Sequence, residues 1–230
     1  MTFLRSALFL GWFLLVTTIL SLIFLPVLIL PRGATIWLAR VWSHATFLGL
    51  KFFAGIGWEI RGPRPAGPVL VAAKHMSMWD TLALYLALDA PAIVLKRELL
   101  RIPFYGWFLW KATAIPIDRS AGASALRKMA ATAKDVLYEG RPILIFPEGT
   151  RKKPGAAPDY KPGVAGLYAM LEVPCVPVAL NSGAYWQGFR KLPGTIVLEF
   201  LPAIPPGLKR ADFMRQLEER IETATARLLQ

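Results

Sequence analysis

The stretch V-L-V-A-A-K-H-M-S-M-W-D, residues 69–80, changes character partway along. It opens as an unbroken apolar run of strand length, and a run without alternation suits a strand buried on both faces of a parallel sheet. Ser77, followed three residues later by Asp80 where an apolar helical pattern begins, reads as a capping-box-like helix start. Strand, turn and helix in that order open an α/β unit, and the pattern continues in both directions.

Strand-like runs are expected near 57–61, 68–74, 92–96, 113–117, 142–147, 175–180 and 195–201, and helices near 78–89, 98–110, 122–139, 161–171 and 210–229. This alternation predicts an α/β domain over residues 57–230, a mixed, largely parallel sheet covered by helices. The last helix is amphipathic, with Phe213, Leu217, Ile221 and Leu228 on one face, and reads as a packing element. A charged, breaker-rich stretch, K-K-P-G-A-A-P-D-Y-K-P-G at 152–163, predicts a mobile surface loop able to close over a substrate.

Hydrophobic residues make up 55% of the 230-residue chain and charged ones only 18%, where soluble domains carry roughly 45–50% and 25%. The N-terminal segment accounts for the excess. Residues 6–30 are uncharged and would span roughly 37 Å as a helix, more than the roughly 30 Å hydrocarbon core, so a transmembrane helix is expected there. Pro26 should kink or end it. No cleavage site of the secretory type follows. In the next apolar segment, 34–56, Arg40, His44 and Lys51 fall within 40° of one another at about 100° per residue. That basic stripe suits a helix lying among lipid headgroups. Residues 1–56 therefore read as membrane-anchoring helices, and Arg5, Arg32, Arg40 and Lys51 favour a body on the cytoplasmic side.

A net charge of +12 implies anionic partners, and the apolar N-terminal segment points to phospholipid rather than nucleic acid. One cysteine, Cys175, excludes a disulfide framework, and two histidines with it are too few for an ordinary zinc site, so no metal is expected.

Two motifs carry chemistry. His75 lies just beyond a buried strand, five residues before Asp80. A chain that folds back there brings the carboxylate to one ring nitrogen, leaving the other as a general base. The second motif, F-P-E-G-T-R at 146–151, follows the apolar run P-I-L-I and so also sits at the carboxyl end of a strand, the crest where open α/β sheets place ligands. Arg151 offers a planar, always-charged fork for a phosphate. Glu148 could hold a substrate hydroxyl or orient that arginine. Gly149 permits close backbone approach and could offer an amide to an oxyanion. Thr150 completes this candidate substrate-binding set. Phe104, Tyr105, Trp107, Phe108 and Trp110 form an aromatic cluster suited to interfacial anchoring or to lining an acyl pocket.

These residues resemble the glycerolipid acyltransferases, most of all the bacterial 1-acylglycerol-3-phosphate acyltransferases, which carry H-x-x-x-x-D and F-P-E-G-T-R motifs at a similar separation. K-R-E-L-L-R-I-P-F-Y-G-W at 96–107 with I-D-R at 117–119, and V-P-V-A-L at 176–180, resemble two further blocks of that family. The resemblance covers about residues 57–205 and implies the fold of glycerol-phosphate acyltransferases. It implies transfer of an acyl group from acyl-CoA or acyl carrier protein to lysophosphatidic acid at a bacterial inner membrane, with no cofactor beyond that co-substrate. It further implies Lys96 and Arg119 as additional phosphate partners. The sequence departs from the family at Lys74, where asparagine is common.

Another lysophospholipid or a lyso-ornithine lipid could be the acceptor on the same scaffold. A lipid hydrolase would need Ser77 or Cys175 as nucleophile, but no G-x-S-x-G elbow is present. A non-enzymatic membrane-binding module would explain charge and amphipathicity and leave both motifs idle.

Overall fold

The computed structural model describes residues 1–102, 105–112, 114–117 and 122–230. The chain opens with helices α1 (Thr2–Ile23) and α2 (Arg32–Gly49), joined by a 3-10 turn at Leu25–Ile29 that contains Pro26. After a π-helical turn, Leu50–Ala54, come β1 (Ile56–Arg61), β2 (Leu70–Ala73), α3 (Met78–Ala87), β3 (Ala92–Lys96), α4 (Tyr105–Lys111) and β4 (Ile115–Ile117). Then follow α5 (Gly122–Tyr138), β5 (Ile143–Ile145), α6 (Gly163–Leu171), β6 (Cys175–Leu180), α7 (Ser182–Tyr185), the short strands β7 (Trp186–Gln187) and β8 (Arg190–Lys191), β9 (Gly194–Phe200) and α8 (Arg210–Leu228).

All seven expected strands join one sheet in the order β1-β9-β6-β2-β5-β3-β4. Neighbours run parallel except β6 and β9, where Ala179 faces Glu199 in an antiparallel pair. The five strands from β6 to β4 therefore direct their carboxyl ends to one edge, and β1 and β9 direct theirs to the other. β2, β5 and β6 are buried at every residue, which is why they read as continuous apolar runs.

Each face of the sheet carries a helical layer. Along β2, Leu70 and Ala72 pack beneath α5, α6 and α8, with Met129, Leu167 and Phe213, whereas Val71 and Ala73 face Phe47, Leu50, Trp79 and Phe9. The N-terminal helices thus share a core with the body. α1 lies antiparallel along α2: the Trp12 indole donates to the Ala45 carbonyl at 2.8 Å and Trp42 to the Thr17 hydroxyl at 2.9 Å. A Cβ on Gly49 would stand 2.1 Å from Trp12 Cδ1, so close approach of the two helices requires glycine there. Ion pairs Arg32–Glu139 (2.9 Å) and Arg40–Asp89 tie α2 to the body. Among the described residues α1 is the one helix long and apolar enough to cross a membrane, and its outer face exposes Leu4, Leu8, Leu15, Ile19 and Leu22.

The expected helix at 98–110 divides into a 3-10 turn at Arg97–Arg101 and α4. Pro103 falls inside the predicted span, and a proline supplies no amide for a continuous helix.

Candidate active site

The turn after β2 is held by its own capping box. Ser77 Oγ accepts from the Trp79 amide at 3.2 Å, and Asp80 Oδ2 accepts back from the Ser77 amide at 2.8 Å. That same oxygen accepts from the Met76 amide at 2.7 Å and lies 3.0 Å from His75 Nδ1. Oδ1 accepts from the Ser77 hydroxyl at 3.1 Å and from Ser182, which opens α7 just beyond β6. The helix cap and the histidine–aspartate pair are one structure.

The network also fixes the tautomer. An ionised carboxylate only accepts, so the proton between the two side chains belongs to Nδ1 and the lone pair to Nε2. Asp80 is fully buried and His75 is 12% exposed, its ring stacked 3.9 Å from that of Phe146. Phe146 opens the second motif. The motifs also meet through backbone, because the Lys152 amide donates to the His75 carbonyl at 2.8 Å.

Both motifs border a cavity of about 780 Å³ lined by His75, Gly149, Thr150, Arg151 and Lys96. Leu126, Met129, Ile145 and Val164 give it an apolar wall, and Lys161 and Arg210 add two cations that the sequence did not single out. Arg119 and Phe104 lie outside the described residues. Trp107 and Trp110 are exposed, as interfacial anchors would be.

Glu148 does not line this cavity. It is 1% exposed and pairs with Lys74, itself 2% exposed, at 3.1 Å. Lys74 Nζ also reaches Glu222 of α8 at 2.7 Å, and the Tyr160 hydroxyl donates to the same Glu222 oxygen at 2.7 Å. Burial pushes the Glu148 carboxyl above its ordinary range, and Lys74 draws it partway back. Burial and the Glu222 carboxylate push the Tyr160 phenol up. Lys74, which departs from the family pattern, therefore joins the first motif to the second and to the C-terminal helix. Direct contact between Glu148 and a substrate hydroxyl does not fit this placement.

Gly149 has φ +62°, a backbone that favours glycine, and its amide donates to the Phe146 carbonyl at 2.9 Å. The oxyanion role expected for that amide is occupied by the turn itself. The loop expected to be mobile is anchored at both ends, by Lys152 on His75 and by the Lys161 amide on the Pro147 carbonyl at 2.9 Å.

Neither candidate hydrolase nucleophile lines the cavity. Ser77 is 2% exposed and hydrogen-bonded to Asp80 and Ser182. Cys175 is buried in the sheet, and burial pushes its thiol up, away from the reactive thiolate. Among the described residues no group of histidine, cysteine and carboxylate side chains could hold a metal ion.

Ser182 was legible in principle, since N-S at 181–182 follows a buried strand as both motifs do. Glu222 and Tyr160 carry no such signal.

Residues 59–181, more than half of the chain, match the family model described as Acyltransferase. The chain is 35% identical over 199 residues to 1-acyl-sn-glycerol-3-phosphate acyltransferase of Pseudomonas aeruginosa, covering 84% of this chain and 77% of that one. It is 29% identical over 233 residues to the human 1-acyl-sn-glycerol-3-phosphate acyltransferase alpha, covering 95% and 78%. The solved 1-acyl-sn-glycerophosphate acyltransferase PlsC of Thermotoga maritima has the same fold, with a TM-score of 0.80 at 20% identity, over 99% of this chain and 98% of that one. Relatives that share most of their length and a fold that superposes throughout lead to one conclusion: the chain belongs to the acyltransferase family.

Proposed function

We propose that the protein moves a fatty acyl group from an acyl thioester, on coenzyme A or acyl carrier protein, to the free hydroxyl of 1-acyl-sn-glycerol-3-phosphate, giving phosphatidic acid for phospholipid synthesis. The observation that carries this reading is a histidine with its Nδ1 held by a buried aspartate, bordering a cavity that it shares with Arg151. The relatives' names support the choice of acceptor.

His75 Nε2 takes the acceptor hydroxyl proton as the oxygen attacks the thioester carbonyl. The tetrahedral intermediate collapses with cleavage of the carbon–sulfur bond, and the imidazolium returns its proton to the departing thiolate. Asp80 stabilises the transient imidazolium. The enzyme supplies no nucleophile and no cofactor. Arg151 grips the acceptor phosphate, with Lys96 and, on the family resemblance, Arg119 beside it; Gly149 and Thr150 shape the cavity wall. Glu148 acts one step back, holding the loop through Lys74 so that Arg151 faces the cavity. Residues 1–56 anchor the protein, α1 entering the hydrocarbon of a bacterial inner membrane with residues 57–230 on its cytoplasmic side.

The test is purified protein in detergent, a labelled acyl thioester and a panel of lyso-lipids. Labelled phosphatidic acid is expected from lysophosphatidic acid, with other lyso-lipids used poorly. His75→Ala should lower kcat by roughly 10²–10⁴-fold, whereas Arg151→Ala should act chiefly through a raised KM for the acceptor. Release of free fatty acid without any acceptor would overturn the reading.

A further inference from the structure

A second cavity, of about 590 Å³, lies between the N-terminal helices and α3–α4, walled by Phe13, Leu38, Trp42, Leu82 and Phe108. Its size is that of a small-molecule site, about 300–1,000 Å³. It shares Thr81, Ile93, Leu109 and Arg151 with the catalytic cavity, but His75 lines the catalytic cavity alone. A cavity with so apolar a lining suits a ligand portion that is mostly hydrocarbon.

The chemistry proposed above brings two acyl chains to one histidine. The thioester carbonyl must lie beside His75, which places the donor in the catalytic cavity. The acceptor spans both cavities: its phosphate sits on Arg151, its hydroxyl turns to His75, and its esterified arm has to leave on the other side of the arginine. We propose that the second cavity holds the acceptor's own acyl chain. α1 and α2 then serve as two walls of a lipid site as well as an anchor. This assignment rests on the acyltransferase reading of the catalytic cavity.

Ala39 of α2 lines the second cavity only. Ala39→Trp fills it, and Ala39→Leu fills it partly should the larger side chain prevent folding. The measurement is kcat/KM for palmitoyl- and hexanoyl-lysophosphatidic acid with one donor, and for palmitoyl and octanoyl thioesters with one acceptor. The palmitoyl-to-hexanoyl acceptor ratio is expected to fall by about tenfold or more in the tryptophan variant, and in the same direction by less in the leucine variant. The donor ratio should stay within about twofold of wild type. A shifted donor ratio with an unchanged acceptor ratio would assign the cavity to the donor chain, and two unchanged ratios would make it a packing void; either overturns the proposal. Wild-type protein inactive on every lysophosphatidic acid would instead sink the acyltransferase reading beneath it.

Discussion

The Asp80 carboxylate caps α3, receives the Ser182 hydroxyl and orients His75. Asp80→Asn keeps the shape, and its oxygen stays toward the Met76 and Ser77 amides and His75, but the neutral amide no longer stabilises the imidazolium, so kcat should fall by roughly 10²–10⁴-fold. Measured beside a thermal melt, this separates loss of the base from loss of the cap. The neighbouring Lys74 is held by Glu148 and Glu222 at the point where three segments converge. Removing one partner of a buried ion cluster strands the others. Lys74→Met is therefore expected to destabilise the fold by about 3–5 kcal/mol, read from the urea midpoint, and a second change, Glu222→Gln, should recover part of it.

At the scale of elements, the β7–β8 hairpin grips α1. The Lys191 amide donates to Ser6 Oγ at 2.9 Å, and its ammonium donates to the Gly188 and Phe189 carbonyls while lying 4.5 Å from the Trp186 ring centre and 5.5 Å from that of Phe9. Burial pulls this lysine down to about 8 from 10.5. Between those values the unfolded chain holds a proton that the folded one has released, so stability rises with pH across the window. The melting temperature should climb as the pH passes from about 8 to about 10.5, relative to a Lys191→Met variant that lacks this contribution. The hairpin itself was not read from the sequence, because two-residue strands leave no period to detect. The sheet strands were legible because central strands are uniformly apolar and Gly or Pro marks their ends. The direction of β9 was not: antiparallel pairing with β6 depends on a connection that carries no hydrophobic signature. The capping box and both motif positions could be read because their partners lie within six residues. The Lys74 cluster reaches across 148 residues to Glu222, where local pattern says nothing.

For the whole molecule, the anchor and the body behave as one unit. Phe9 and Phe47 pack in the same core as Val71, Trp79 and Leu198. A chain lacking residues 1–31 should therefore lose cooperative unfolding as well as membrane binding, checked by circular dichroism melts in detergent; an intact, sharp transition would show that the body folds alone. α8, at the other extreme of the sequence, contributes Arg210 to the catalytic cavity, Glu222 to Lys74 and the Leu228 carbonyl to Asn181 at 2.9 Å. Chains fold from the N-terminal side as they are made. α1 and α2 therefore precede α8 in synthesis, while Lys74 still waits for its second carboxylate. Arg210 and Glu222 come last in the chain, so the catalytic cavity and the Lys74 cluster both stay incomplete until α8 is in place.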